Sequence, residues 1–436
     1  MRVESGEWRV KALRKRTPQL YIVHCTLYIV FLLAGCRGQI LPAARTISEY
    51  KLISVMGLDR DQNSRDNIAL TLSAKEKSSS ELGGGKSSGG EGGDRPLILT
   101  NEARSVALAY QEMQTYTTDF LFLGHVRYVL LGEEAAREGI LRYLDYISRD
   151  PDGRFLARLY VVEDASARDL MSRASTNESY IADRLNAMEA DVGVLSASHP
   201  RNLTQTLDAL YGSDGNLLLP MIRLSDSKAH DATKESGEDK DAPPDGDDKN
   251  DNNKDSSSDD EKTLDVDIAG YAVFADGRMV GRIGTDRSPA VNFLHNTVRS
   301  QMAEVDTGDG QAAALRILNA NCRLKPHWTG RALERLVIEV EAEAALNENQ
   351  SGQSLNGRGQ TKPLAEQFDR WLETQLMSVV EQTQALGADV LGLGARLDRM
   401  NPIRFSSVAG SWKEIFPSLP VSVTVKTAVV RNYEMS

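Results

Sequence analysis

Hydrophobic positions along the chain fall into three patterns, and each predicts a different element. Strict alternation marks half-buried strands. Ile68, Leu70, Leu72 and Ala74 line one face of such a strand. Ile338, Val340, Ala342 and Ala344 alternate with Glu339, Glu341 and Glu343, and Val421, Val423, Val425, Thr427 and Val429 close the chain with a third. Continuous apolar runs predict buried strands over 52–58, 126–131, 156–162 and 217–224. Spacings of three and four predict helices. Ala136, Ile140, Leu144 and Ile147 share one face of a helix over 133–147, with acids in its first turn. Phe368, Trp371, Leu372, Leu376, Val379, Val380 and Thr383 mark a long amphipathic helix that should face a sheet. Shorter helices are predicted to 115 from a cap at Thr100 or Asn101, and over 166–171 and 203–210.

Punctuation between these elements divides the chain. Arg149, Asp150, Pro151, Asp152 and Gly153 predict a turn, because proline fixes φ and glycine permits positive φ. Asp276, Gly277 and Arg278 join 264–275 to 279–283 as a hairpin. Residues 78–94 are rich in Gly and Ser and predict a flexible loop. Residues 226–262 hold fourteen acids and six lysines with almost no apolar side chain, a composition that predicts a disordered insert. Mixed strands and helices predict an α+β protein whose chain falls into three units, the first a mixed α/β domain. Their expected bounds are 51–195, 196–296 (interrupted by the insert) and 297–436.

The first 50 residues differ from the rest. Residues 1–35 carry six basic and two acidic groups, and 20–34 is an apolar run of fifteen. That run is short for a membrane span and right for a signal-peptide core. It ends in Leu33, Ala34, Gly35 and Cys36, which resemble the lipobox of bacterial lipoproteins. The expectation is a lipoprotein signal peptide over 1–35, a lipidated tether over 36–50, and Cys36 carrying diacylglycerol with a possible N-acyl chain. The rival is an uncleaved signal anchor with Cys36 as a buried thiol. After processing Cys322 would be the sole free thiol, so no intramolecular disulfide is expected. No other apolar run approaches a span, which excludes a polytopic membrane protein. The net charge of −11 argues against a general nucleic-acid binder.

No convincing catalytic constellation stands out. The six histidines (24, 125, 199, 230, 295 and 327) show no metal-ligand spacing. His125 beside the 126–131 strand is expected to be packed or hydrogen-bonded. Gly392, Leu393 and Gly394 lack the third glycine of a dinucleotide loop. Asp248, Asn250 and Asn252 lack the glycine and final glutamate of a calcium loop, with Asn253 and Asp259 in those places. The Glu339, Glu341 and Glu343 row is expected to be solvated surface. No enzyme activity and no cofactor are expected.

Taken in order, several short stretches resemble one family. They are the lipobox, then Val55-Met56-Gly57-Leu58-Asp59, Gly124-His125-Val126 through Gly132-Glu133-Glu134, and Arg149-Asp150-Pro151. Ala269-Gly270-Tyr271 to Phe274 with Val280-Gly281, Asp389 to Gly394, Trp412 to Pro417 and the last valine strand complete the set. The chain is similar to the C subunit family of nutrient germinant receptors of spore-forming bacteria, the GerAC-like lipoproteins. It departs from them at Arg37, where a bulky residue is common, and in the length of the insert. The resemblance implies three mixed α/β domains, each a sheet packed with helices, anchored by lipid at the outer face of the inner spore membrane. It also implies a non-catalytic role beside an integral membrane A-type subunit and a transporter-like B-type subunit, without nucleic acid. Candidate partner contacts are Arg149 and Asp150 in one turn and Asp389, Trp412 and Phe416 near the C-terminus; local turn structure and packing are the alternative for each. A solute-binding lipoprotein of a transport system is the rival function, and a wall-acting enzyme a second.

Overall fold

Among the described residues the strands pair into two sheets. The computed structural model describes residues 49–76, 95–150, 153–175, 180–195, 198–212, 215–226, 264–307, 311–350 and 361–432. The first sheet holds β1 (Tyr50–Arg60), β2 (Ile68–Glu76), β3 (Arg95–Ala103), β4 (Phe120–Phe122), β5 (Tyr128–Gly132), β6 (Arg158–Val162), β7 (Arg201–Asn202), β8 (Leu217–Asp226), β9 (Leu264–Ala275) and β10 (Arg278–Ile283). Its order is β10-β9-β8-β6-β5-β1-β2-β3, with β4 beside β1 and β7 beside β6. The centre, β8-β6-β5-β1, is parallel, and antiparallel strands flank it on both sides. Parallel neighbours need crossovers, and helices supply them. These are α1 (Val106–Tyr116), α2 (Glu133–Glu138), α3 (Leu141–Arg149), α4 (Ala167–Ala174), α5 (Ile181–Leu195) and α6 (Leu203–Gly212).

The second sheet is β11 (Gln301–Asp306), β12 (Ala312–Thr329), β13 (Ala332–Asn349) and β14 (Val421–Asn432), in that order. The first three are antiparallel, and β14 returns parallel to β13. The helices of this part are α7 (Ser288–His295), α8 (Lys362–Ala385), α9 (Leu393–Met400), α10 (Pro402–Phe405) and α11 (Trp412–Ile415). The long α8 lies along β14, burying Phe368, Leu372, Leu376, Val379 and Val380. Each such side chain contributes about 1.5–3 kcal/mol of burial. At the sheet edge the Val425 amide donates to Glu373 Oε1 of α8 at 2.9 Å, which satisfies a group that edge strands otherwise expose.

The α+β class is as expected, but the strands divide differently. Residues 196–296, expected as a middle domain, do not make a sheet of their own; they add β7–β10 to the first. Val161 and Val162 pair with Met221 and Ile222, and β8 then pairs with β9 along its whole length. The described residues from Lys51 onward form one compact unit. Leu218, Tyr271, Val273 and Ile283 of the first sheet join the core of the second, while Leu217, Leu219, Ala272 and Phe274 face α1–α3 on the opposite side. Asp276 (φ 50°) and Gly277 (φ 71°) form the two-residue turn of the β9–β10 hairpin.

Three smaller expectations also change. Thr100 and Asn101 lie in β3, paired with Thr71 and Leu70, so the cap of α1 is Ser105, whose Oγ accepts the Leu108 amide. The helix expected over 133–147 is two, broken where Gly139 turns to φ 128°. Trp371 sits at the rim of α8, 36% exposed, and not on its buried face. The Gly/Ser-rich loop 78–94 lies outside the described residues, as do the leader 1–48 and the expected insert 226–262 apart from Asp226, which ends β8.

Leu376 is fully buried. Leu376→Ala should lower unfolding free energy by about 2–5 kcal/mol through lost burial and a cavity. Trp371→Ala should cost markedly less. Urea unfolding of the two variants, compared at equal m, checks the ranking.

Candidate functional site

Two carboxylates, Asp59 buried and Asp389 half-buried, organise the places where the recognisable sequence stretches meet. The first is Asp59, at the carboxyl end of β1 and 5% exposed. Its oxygens accept the Ala167 amide at 2.7 Å and the Arg168 amide at 2.9 Å, two of the unpaired amides that open α4. Ser166 Oγ accepts the Asp169 amide at 2.9 Å and caps the same turn. Burial pushes the Asp59 carboxyl up to about 6, against the lowering effect of those two amides. Gly132 ends the neighbouring β5, and a Cβ there would lie 2.1 Å from Asp59 Oδ1. Glycine at 132 is therefore a condition for the carboxylate at 59.

Beside Asp59 the next residue of β5's end continues the theme. Glu133, 7% exposed, accepts the Asp164 amide at 2.9 Å and pairs with Arg137 at 2.5 Å. Arg282 of β10 donates to Glu163 at 3.0 Å and to Asp164 at 3.1 Å. The acidic ends of the parallel strands are thus matched by cations.

The second carboxylate is Asp389, between α8 and α9. It accepts the Leu393 amide at 2.8 Å, the Gly394 amide at 2.7 Å and the Trp412 indole N–H at 2.9 Å. Burial raises its carboxyl above the ordinary range and the donors oppose that. Trp412 packs edge-on to Phe405, ring centroids 5.5 Å apart, and against Phe416 at 6.0 Å. A Cβ on Gly394 would lie 2.5 Å from Trp412 Nε1. Three of the sequence candidates, Asp389, Trp412 and Phe416, therefore converge, and Phe416 is 1% exposed within the core.

The other candidates stand elsewhere. Arg149 ends α3 and pairs with Asp145 at 2.9 Å, while the Asp150 amide donates to the Tyr146 carbonyl as the helix C-cap. Leu33, Ala34, Gly35 and Cys36 lie outside the described residues. His125, expected to be packed or hydrogen-bonded, is exposed in a short turn before β5 and so is not packed. Partial desolvation, then Arg127 and Arg154, lower its pKa. Glu339 and Glu341 lie on the wet face of the second sheet, paired with Lys325 at 2.6 Å and Arg323 at 3.6 Å. Among the described residues no three His, Cys, Asp or Glu side chains are grouped to hold a metal. Cys322 is buried, and burial raises its thiol pKa.

One concave site gathers residues that local sequence does not single out. Where β7, α6 and the start of β8 meet α7 and α9, a cleft of about 540 Å³ is lined by Arg201, Asn216, His295 and Arg396, with Asp389 and Trp412 in its wall. Among the described residues that line it there is no nucleophile–base pair.

Comparisons with known proteins cover almost all of these features. Residues 43–224 match the family described as the spore germination protein N-terminal domain, and residues 269–433 match the spore germination B3/GerAC-like C-terminal family. The protein named "Putative spore germination protein YfkR", from Bacillus subtilis (strain 168), is 23% identical over 402 residues, 91% of this chain and 92% of its own length. The crystal structure of the GerBC protein is similar at 14% identity and a TM-score of 0.47, covering 86% of this chain and 96% of that one. The second family match begins inside β9, so that half includes the last two strands of the first sheet.

Because Asp59 holds its proton more tightly folded than unfolded, the fold should lose stability as pH rises from about 4 to 6. With a carboxyl near 6 against an ordinary 3.8, this group alone accounts for up to about 3 kcal/mol. Asp59→Asn, which also loses one amide acceptor, should flatten that slope. Urea unfolding at intervals from pH 4 to 7 measures it; equal slopes in both proteins would contradict the assignment.

Proposed function

The chain belongs to the GerAC-like spore germination protein family, and we propose that it is the lipid-anchored C subunit of a nutrient germinant receptor. In this reading Cys36 is acylated after signal cleavage and holds the folded part at the outer face of the inner spore membrane. The partners are an integral membrane A-type subunit and a transporter-like B-type subunit. The role is assembly and coupling, without catalysis.

The observation that carries the reading is the combination of both family halves with a basic, apolar, Leu-Ala-Gly-Cys leader. Among the described residues no helix is long and apolar enough to cross a membrane; the attachment proposed is the acyl chains. Two chains on one residue anchor stably where a single chain is marginal. Anchoring confines the protein to a plane and raises its effective concentration beside membrane partners, so weak contacts suffice for assembly. Buried carboxylates spent on backbone amides and acids matched by cations fit a binding protein better than an acid–base catalyst.

Cys36→Ala should move the protein from the membrane to the soluble fraction. Spores lacking the chain should lose their response to one defined nutrient while germinating on others. Unchanged fractionation, or normal germination on every nutrient with paralogous receptors removed, would refute the anchor or the role respectively.

A further inference from the structure

In three clefts among the described residues, cations meet acids close by. In the surface cleft beside the β9–β10 turn, Lys413 meets Asp276 at 2.8 Å and Arg142 meets Glu138 at 2.9 Å. In the clefts around Asp59, Arg137 meets Glu133 at 2.5 Å and Arg173 meets Asp169 at 3.3 Å. The cleft between β7 and α9 differs. Arg201 lines it half-buried, and burial lowers its guanidinium pKa. No carboxylate among the described residues pairs with it.

The neighbouring groups do not supply the missing charge. Arg396 is committed to the Leu294 carbonyl at 2.9 Å and the Cys322 carbonyl at 2.8 Å. His295 bonds the Val390 backbone; burial, then Arg201, His199 and Arg396, push it down to about 4, so it is neutral at pH 7. Its Nε2 is buried without a hydrogen-bond partner. Of the two acids in the wall, Asp389 is taken by two amides and an indole N–H, and Asp398 is exposed. Asn216 lines the same space beside the start of β8.

We infer that this cleft binds a small oxyanion, a carboxylate or a phosphate, through the Arg201 guanidinium, with the Asn216 amide as a neutral donor. A half-buried guanidinium without a counter-charge is costly, and an anion offsets that cost. The planar fork of arginine matches both oxyanion types with two parallel hydrogen bonds. Arg201 belongs to the first sheet, and the facing wall, α7 and α9, belongs to the second. An anion held here therefore favours whichever arrangement of the two walls encloses it better. The inference is independent of the receptor reading.

The test titrates the purified full-length chain in detergent with inorganic phosphate, with acetate, and with chloride at matched ionic strength. Thermal unfolding and calorimetry are the readouts. The expected result is a saturable rise in midpoint with phosphate or acetate and none with chloride; the stronger of the two assigns the anion class. Arg201→Gln should weaken binding about tenfold or more, while raising the midpoint of the anion-free protein because an unpartnered charge is removed. Arg399→Gln, an exposed residue on the same rim, should bind as the parent does. A response no different from chloride overturns the inference, and so does saturable binding that survives Arg201→Gln. If that variant does not fold, Ala395→Trp places bulk at an exposed rim position; unchanged saturable binding in it overturns the inference equally.

Discussion

A carboxylate buried against the first amides of a helix is the interaction on which the rest of this structure depends. Such a group is expensive away from water, and the amides that compensate it are in place only when the helix begins at one residue. Asp59 and Asp389 therefore fix positions as well as adding hydrogen bonds. Asp59 sets where α4 starts relative to β1 and β5, and α4 with α5 covers one face of the parallel centre. Asp389 sets where α9 starts and, through Trp412, fastens the segment that leads into β14. The parallel return of β14 beside β13 needs a long crossover, and α8 through α11 are that crossover.

Polar groups elsewhere serve the same end. Glu133, Glu163 and Asp164 meet Arg137 and Arg282, and Gln384 donates to the carbonyls of Phe416 and Leu419 at 2.8 Å. These contacts tie elements that are distant in the chain. Among the described residues, the cleft lined by Arg201 differs from that background in holding a half-buried cation that no carboxylate pairs.

Much of this was legible in the sequence wherever one face of an element meets water. The alternation in β2, β13 and β14 and the apolar stripe of α8 follow directly from half-burial. β12 was not legible, because its alternation slips at the bulge between Ile317 and Asn319 and again near Trp328. The cap of α1 was misplaced because Thr100, Asn101 and Ser105 all suit a cap, and only pairing with β2 decides among them. Of the site, Asp389, Trp412 and Phe416 were visible as short stretches, but their convergence depends on a turn that periodicity does not describe. Arg201, His295 and Arg396 carried no local signal at all. They meet through the path of the chain, and each looks ordinary in its own neighbourhood.

The β9–β10 hairpin has a bearing on how the chain is made. The first sheet is not complete until residue 283 has left the ribosome, well after its parallel centre has been synthesised. Until then β8 is an open edge, and the 37 residues between Asp226 and Leu264 must pass before it is paired. The entropic penalty for closing a connection grows only with the logarithm of its length, about 0.6 kcal/mol per doubling. A long insertion at this point thus delays the closing of the sheet far more than it weakens the finished one.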